Sequence, residues 1–516
     1  MEERSDVKEI DRRHKEALVR AEASVAQVSA QAARDPLRLH YHLMAPSYWV
    51  NDPCGLVEFR GEYHLFYQFN PYAPVWGHMH WGHARSRDLI HWEHLPIALA
   101  PSEPYDIHPR GGIFTGCAMA DGEELKVIYC GSTGEGSDLR QVQCLAVSRD
   151  GIHFTKDADN PVIAGPPPEG SANFRDPNIW KHDGHWYMVL GTCRDGKGKA
   201  VLYRSEDMKH WEYKSVLAES DGTLGTMWEC PDFFPLEDKY VLLFSPMGLG
   251  AVKGIYLVGD LDYETGRFTW QTRGEMDYGC EYYAPQTFED SQGRRIMFGW
   301  LNSWEWMPWF QDFGPTVQQN WCGAISLPRM LSLDQTGHLR FTPVREAESL
   351  REEHFHWEPA VLHPGERLIA HKAGGVSLEI ALTCDLQRTT AGEFGLILRG
   401  NETTGRQTVL RYITKTGELV FDRSRADGCS AQGSRCSCPA DALGRISFRV
   451  YVDSSCVEVY GNEGQVCMTN RIYPDAGCTQ TEVYVKDGSA DIVSLDVWTL
   501  KSIWQADAGD CDPQEG

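Results

Sequence analysis

A unit of roughly 60 residues recurs along this chain, and two independent markers keep its period. The first is a strand-like start, often beside a proline, that carries an acid in three of its five copies. Copies are Asp52 in WVNDPCG, Thr115 in FTGC, Asp176 in FRDPN, Glu229 in WECPDFF and Ala284 before Pro285. An apolar run and a turn follow each start, as in GLVEFRGEYHLFYQ and PNIWKHDGHWYMVLG. The second marker is a Ser-x-Asp step leading to an aromatic: Ser86-Arg87-Asp88 to Trp92, Ser148-Arg149-Asp150 to Phe154, and Ser205-Glu206-Asp207 to Trp211. A looser copy runs from Gly259-Asp260 to Trp270. About 60 residues hold about four short strands with their turns, the content of one sheet in a radially repeated β array. Glycine turns recur in any β-rich chain, but two markers sharing one period argue against coincidence. Repeats stacked about an axis bring equivalent positions together, so the carboxylates of Asp52, Asp176 and Glu229 are expected to meet in one pocket.

At 516 residues the chain is too long for one ordinary domain. Residues 1–35 read as a helical extension, because Ile10, Ala17, Leu18, Ala21, Val25 and Val28 keep helical spacing. This helix is expected against the outside of the repeat array, away from the chemistry. Residues 36–345 carry the repeat, and 346–360 read as a charged, helical connector. Residues 361–505 alternate in short strands separated by turns such as Gly461-Asn462-Glu463-Gly464, the texture of an antiparallel sandwich. Residues 506–516 read as a loose tail. The expected fold class is therefore all-β: a five-bladed β-propeller followed by a β-sandwich, with a short N-terminal helical extension.

A net charge of −24 repels nucleic acid and anionic membranes, and any anionic substrate would need a local basic site. No run approaches the apolar length of a membrane span. The N-terminal segment is charged and has no apolar core of a secretory signal, which points to the cytoplasm. There the 16 cysteines are expected as free, buried thiols. Neither Cys429, Cys436 and Cys438 nor His78, His80 and His83 shows a metal-ligand spacing, so no metal or cofactor is expected. The sandwich is expected to serve packing or homo-oligomer formation.

Two carboxylates suffice to cleave a glycosidic bond when their environments differ. Asp52, between Asn51 and Pro53, suits an ionised nucleophile. Glu229, after an aromatic run, suits a general acid. Asp176 follows Arg175, which would keep it ionised for holding sugar hydroxyls. The stretch YQFNPYAPVWGHMHWGH adds Gln68, Asn70, Trp76, His80, Trp81 and His83, side chains that bond hydroxyls or stack on a sugar ring.

These segments resemble the glycoside hydrolase family 32 β-fructofuranosidases, which include invertases, sucrose-6-phosphate hydrolases and fructan exo-hydrolases. WVNDPCG, YQFNP, MHWGHARSRDLIHW, FRDP, WECPDFF, DYGCEYYAPQTF and VDSSCVEVYGNEG carry the resemblance, in the family's order. It implies Asp52 as nucleophile, Asp176 as transition-state stabiliser and Glu229 as acid/base. The substrate-binding residues expected with them are Asn51, Gln68, Trp76, Trp81, Phe114, Thr115, Arg175, Tyr283 and Trp300. The implied activity is retaining release of terminal β-D-fructofuranosyl units from a small carbohydrate, with fructosyl transfer or non-catalytic binding as alternatives. Two departures stand out. Cys54 replaces the family's usual Asn, and Phe114-Thr115-Gly116-Cys117 replaces a Phe-Ser-Gly-Ser type segment, which would crowd the pocket and weaken a donor.

Overall fold

The first strand of each repeat is buried over most of its leading part, polar residues included, and is the innermost of its sheet. In Tyr48–Phe59 every position but one is buried. The outer strand Trp92–Leu99 is exposed or half-buried from Glu93 to Pro96 and buried from Ile97 to Leu99. This is a computed structural model; it describes residues 3–369, 373–430 and 433–504.

Five antiparallel sheets follow one another along the chain. Their innermost strands are Tyr48–Phe59, Gly112–Asp121, Phe174–His182, Met227–Leu236 and Tyr283–Glu289. Each of these contacts the next, and the fifth contacts the first, so the circuit is closed. A short strand, Trp321–Cys322, leaves the last repeat and pairs in parallel with Tyr48 and Trp49 of the first.

The Ser-x-Asp marker has a local cause. Asp88 Oδ1 accepts the backbone N–H groups of Ile90 and His91 at 3.0 and 2.8 Å. Its Oδ2 bonds His91 Nδ1 at 2.7 Å. Asp150 with His153 and Asp207 with His210 repeat this geometry. The aspartate closes a turn whose backbone donors lack strand partners, and the aromatic that follows enters the outer strand or its edge. The looser copy is not such a turn. Gly259 and Trp270 are cross-strand partners, and Asp262 caps the hairpin between them.

The helix Glu3–Ala32 packs on the outer strands of the first two sheets through Ala17, Ala21 and Val25, all buried. Glu22 accepts the N–H of Ile97, and His14 that of Ala100, which satisfies strand donors at this edge. Among the described residues no helix is long and apolar enough to cross a membrane.

Beyond residue 345 a seven-stranded and a five-stranded antiparallel sheet share one apolar core, with Leu378, Ile380 and Leu382 from one and Phe394, Leu396 and Leu398 from the other. The connector corrects the expectation. Only Arg345–Leu350 is helical, as a short 3-10 turn, and Arg351–Trp357 is a strand paired with Ala490–Leu500. Cross-strand contacts outweigh its helix-forming composition: His354 stacks on Trp498 at 4.7 Å and bonds Asp496. Residues 506–516 lie outside the described residues.

A buried ionic network joins the two parts. Arg329 bonds Asp277 at 2.9 Å and Glu458 at 2.8 Å. His42 bridges Asp453 and Glu458 at 2.7 and 3.0 Å. Arg423 forms a two-pronged pair with Glu281.

Candidate active site

Each innermost strand loses register with its neighbour at the same place. The shifts fall between Val50 and Pro53, Phe114 and Gly116, Glu229 and Asp232, and Tyr283 and Gln286, and opposite Arg175–Asn178 in the third sheet. A bulge leaves one residue unpaired and re-aims its side chain. Proline, which has no N–H to give a ladder, fits there. It follows Asp52, Asp176, Cys230 and Ala284. Asp176, Cys230 and Ala284 share a left-handed backbone, with φ of 63°, 48° and 48°. Such backbone in non-glycine residues is sparse and is held in place by its surroundings.

This register corrects one expectation. Asp52, Thr115 and Asp176 occupy equivalent positions, but the equivalent residue in the fourth sheet is Cys230, with Glu229 one step earlier. Cys230 is the hub: its N–H donates to Asp176 Oδ2 at 2.8 Å, and its thiol to Asp52 Oδ2 at 3.5 Å. Three carboxylates thus meet around one residue at the floor of a cavity of about 590 Å³, a size suited to a small molecule.

Asp52 also accepts from Thr115 Oγ1 at 2.7 Å and from Asn51 Nδ2 at 3.0 Å. Arg175 donates to Glu229 Oε1 at 2.9 Å, and Tyr283 Oη donates to Glu229 Oε2 at 2.6 Å. Arg175 donates further to Asn173 and Gln141, which hold its guanidinium across the cavity wall.

Burial raises Asp52 to about 6 against the hydrogen bonds from Thr115 and Asn51, with the charge of Glu229 adding to the rise. Burial likewise raises Asp176 to about 7, opposed by Arg175 and reinforced by Glu229 and Asp52. Arg175 does lower Asp176, as expected, but not by enough to offset burial. Its guanidinium is bonded to Glu229 and lies 3.9 Å from Asp176, and burial prevails. Asp52 and Asp176 are coupled, since the charge of Asp52 is among the causes that raise Asp176. Since an attacking carboxylate must be ionised, kcat/KM should fall about tenfold per pH unit below about pH 6, read from initial rates across pH 4–8. A flat profile through that range would show that Asp52 stays ionised well below about pH 6 and that the hydrogen bonds from Thr115 and Asn51 outweigh burial.

Asn51, Gln68, Trp76, Phe114, Thr115 and Arg175 line the cavity as expected, and Tyr283 reaches it through Glu229. Trp81 and Trp300 do not. Trp81 is buried against Phe66 and donates to the Phe114 carbonyl, and Trp300 packs behind Trp304 at 4.9 Å. Their strands are buried on both faces, so alternation does not separate pocket wall from core. His80 and His83 are also buried, on the His78 carbonyl and on Phe66, and Asn70 holds the Val75 carbonyl. Cys54 and Cys117 lie in apolar clusters, and neither lines the cavity. The two departures therefore change the packing around the pocket, while Thr115 keeps the hydroxyl that serves Asp52. Sequence reasoning missed Trp304, Glu305, Trp306 and Phe313 on one wall and Arg110 and Glu135 at the mouth. The dense aromatics of WEWMPWFQDF were the available signal.

The profile described as glycosyl hydrolases family 32 N-terminal domain matches residues 42–343, and that of the family's C-terminal domain matches 346–499. A sucrose-6-phosphate hydrolase from Zymomonas mobilis is 37% identical over 511 residues, covering 94% of this chain and 96% of that protein. A raffinose invertase from Escherichia coli is 35% identical over 506 residues, covering 94% of this chain and 100% of that protein. A solved β-fructofuranosidase mutant from Bombyx mori in complex with sucrose superposes with a TM-score of 0.81 at 33% identity, covering 95% of this chain and 99% of that one.

Proposed function

The chain belongs to glycosyl hydrolases family 32, and from this premise we infer that it is a β-fructofuranosidase releasing terminal non-reducing β-D-fructofuranosyl units from sucrose, sucrose-6-phosphate or short fructo-oligosaccharides. The observation that carries the reading is the convergence of Asp52, Asp176 and Glu229 around Cys230 at the cavity floor. Asp52 attacks the anomeric carbon of the fructosyl unit while Glu229 protonates the leaving oxygen. The fructosyl-enzyme ester is then opened by a water that Glu229 deprotonates, and configuration is retained. Asp176 holds ring hydroxyls as positive charge develops on the ring. Arg175 and Tyr283 orient Glu229, and Asn51 and Thr115 orient Asp52.

The closed circuit of sheets supports a five-bladed β-propeller over residues 36–345, joined through 346–360 to a β-sandwich over 361–505. The free cysteines fit a reducing cytoplasm. Carbon NMR of early sucrose turnover tests the reading: β-fructofuranose should appear first, before mutarotation. First-formed α-anomer would rule out double displacement.

A further inference from the structure

We propose that the leaving-group end of this pocket selects an uncharged glycosyl unit and discriminates against a phosphorylated one, with Glu135 and Glu305 as the specificity-determining side chains. The inference rests on the fructofuranosidase reading, which seats the fructosyl unit on Asp52 and turns the leaving group toward the mouth.

A phosphate monoester is close to a dianion at neutral pH and binds where cationic donors are free to meet it. Among the described residues two cationic side chains line the cavity, and both are engaged. Arg175 is buried at the floor and bonded to Glu229, Asn173 and Gln141. Arg110, at the mouth, holds Glu135 Oε1 through Nε at 2.6 Å, with its guanidinium carbon 5.8 Å from the ring centre of Trp76. A phosphate that drew Arg110 away would leave the Glu135 carboxylate unpaired beside it.

The remaining charges in the cavity are negative. Asp52, Asp176 and Glu229 form the floor, and Glu305 stands exposed on the rim with no ion-pair or hydrogen-bond partner among the described residues. The whole chain is also net negative, at −24, which opposes the approach of a dianion. Like charges placed against the wrong ligand are a way to build specificity.

A neutral hexosyl unit meets a different surface. Trp76 and Trp306 offer flat faces for the apolar side of a pyranose, and the Arg110–Glu135 pair keeps N–H donors and carboxylate lone pairs for hydroxyls. Both groups of the pair are more than half exposed, so neither needs the other for folding.

The test compares kcat/KM for sucrose and sucrose-6-phosphate on the full chain. Sucrose should be favoured by about ten-fold or more at low ionic strength, with the margin shrinking as salt screens the rim. In the double variant Glu135→Gln, Glu305→Gln the ratio should shift several-fold toward sucrose-6-phosphate. Equal or better turnover of sucrose-6-phosphate by the unaltered chain overturns the inference and leaves the fructofuranosidase reading standing. So does a ratio that the double variant fails to move. Fructose from neither sugar overturns the reading itself, and the inference with it.

Discussion

Asp52→Asn should lower kcat on sucrose by about ten-thousand-fold or more while the chain stays folded. Removal of a covalent nucleophile leaves only the residual catalysis of binding and charge stabilisation. Folding should survive because asparagine is isosteric: its Oδ1 can accept from Asn51, and the Thr115 hydroxyl, which now donates to the other carboxylate oxygen, can turn to accept from its Nδ2. The complementary variant Glu229→Ala loses the acid of the first step as well as the base of the second, so it should form the ester readily only from a fructoside whose leaving group needs no proton, and should stall there. Azide needs no general base, so it should restore turnover there and yield β-fructosyl azide, which requires an intermediate on Asp52. A folded Asp52→Asn enzyme within ten-fold of the unaltered rate would remove Asp52 from the mechanism.

Glu458→Gln should destabilise the fold by about 3–5 kcal/mol, the cost of removing one partner from a buried ionic cluster. Glu458 is fully buried and accepts from Arg329, His42, Tyr460 and the N–H of Leu327. Glutamine leaves Arg329 with one carboxylate and His42 with one. Urea midpoints at matched pH measure the loss, and a shift below about 1 kcal/mol would contradict it.

The pH dependence of this cluster has a definite sign. Burial lowers His42, but bonds to Asp453 and Glu458 outweigh it and hold the imidazole up at about 9. Stability from that raised value is fully present below the unfolded value near 6.5 and is lost as pH rises through about 9. Burial raises Glu458, but Arg329 and His42 outweigh it and hold it at about 2. Its contribution is present above the unfolded value of 4.5 and is lost as pH falls through about 2. The gap between the unaltered chain and Glu458→Gln should therefore be widest between about pH 4.5 and 6.5.

Much of this fold was readable because it repeats. A Pro after a bulge and an Asp closing a turn are local necessities, so each copy of the unit had to show them. The off-by-one at Glu229 was visible too: aligning Asp52-Pro53, Asp176-Pro177, Cys230-Pro231 and Ala284-Pro285 places Cys230, not Glu229, at the shared position. Trp81 and Trp300 were misplaced because a strand buried on both faces gives no sign of which face holds ligand. Trp304 and Trp306 escaped because a loop has no period to read. Arg351–Trp357 looked helical by composition, and only its pairing with Ala490–Leu500 decides otherwise. The reach of Arg175 past its sequence neighbour to Glu229 depends on how three strands splay, which no local pattern records.

The parallel pairing of Trp321–Cys322 with Tyr48 and Trp49 has a temporal consequence. During synthesis the first sheet must wait for the last repeat to leave the ribosome before its inner edge is covered. A nascent chain that ends before residue 321 already carries Asp52, Asp176 and Glu229, yet it lacks the clasp that holds them together. Hydrolytic competence should therefore arrive late and abruptly as the polypeptide lengthens, rather than accumulating with each sheet.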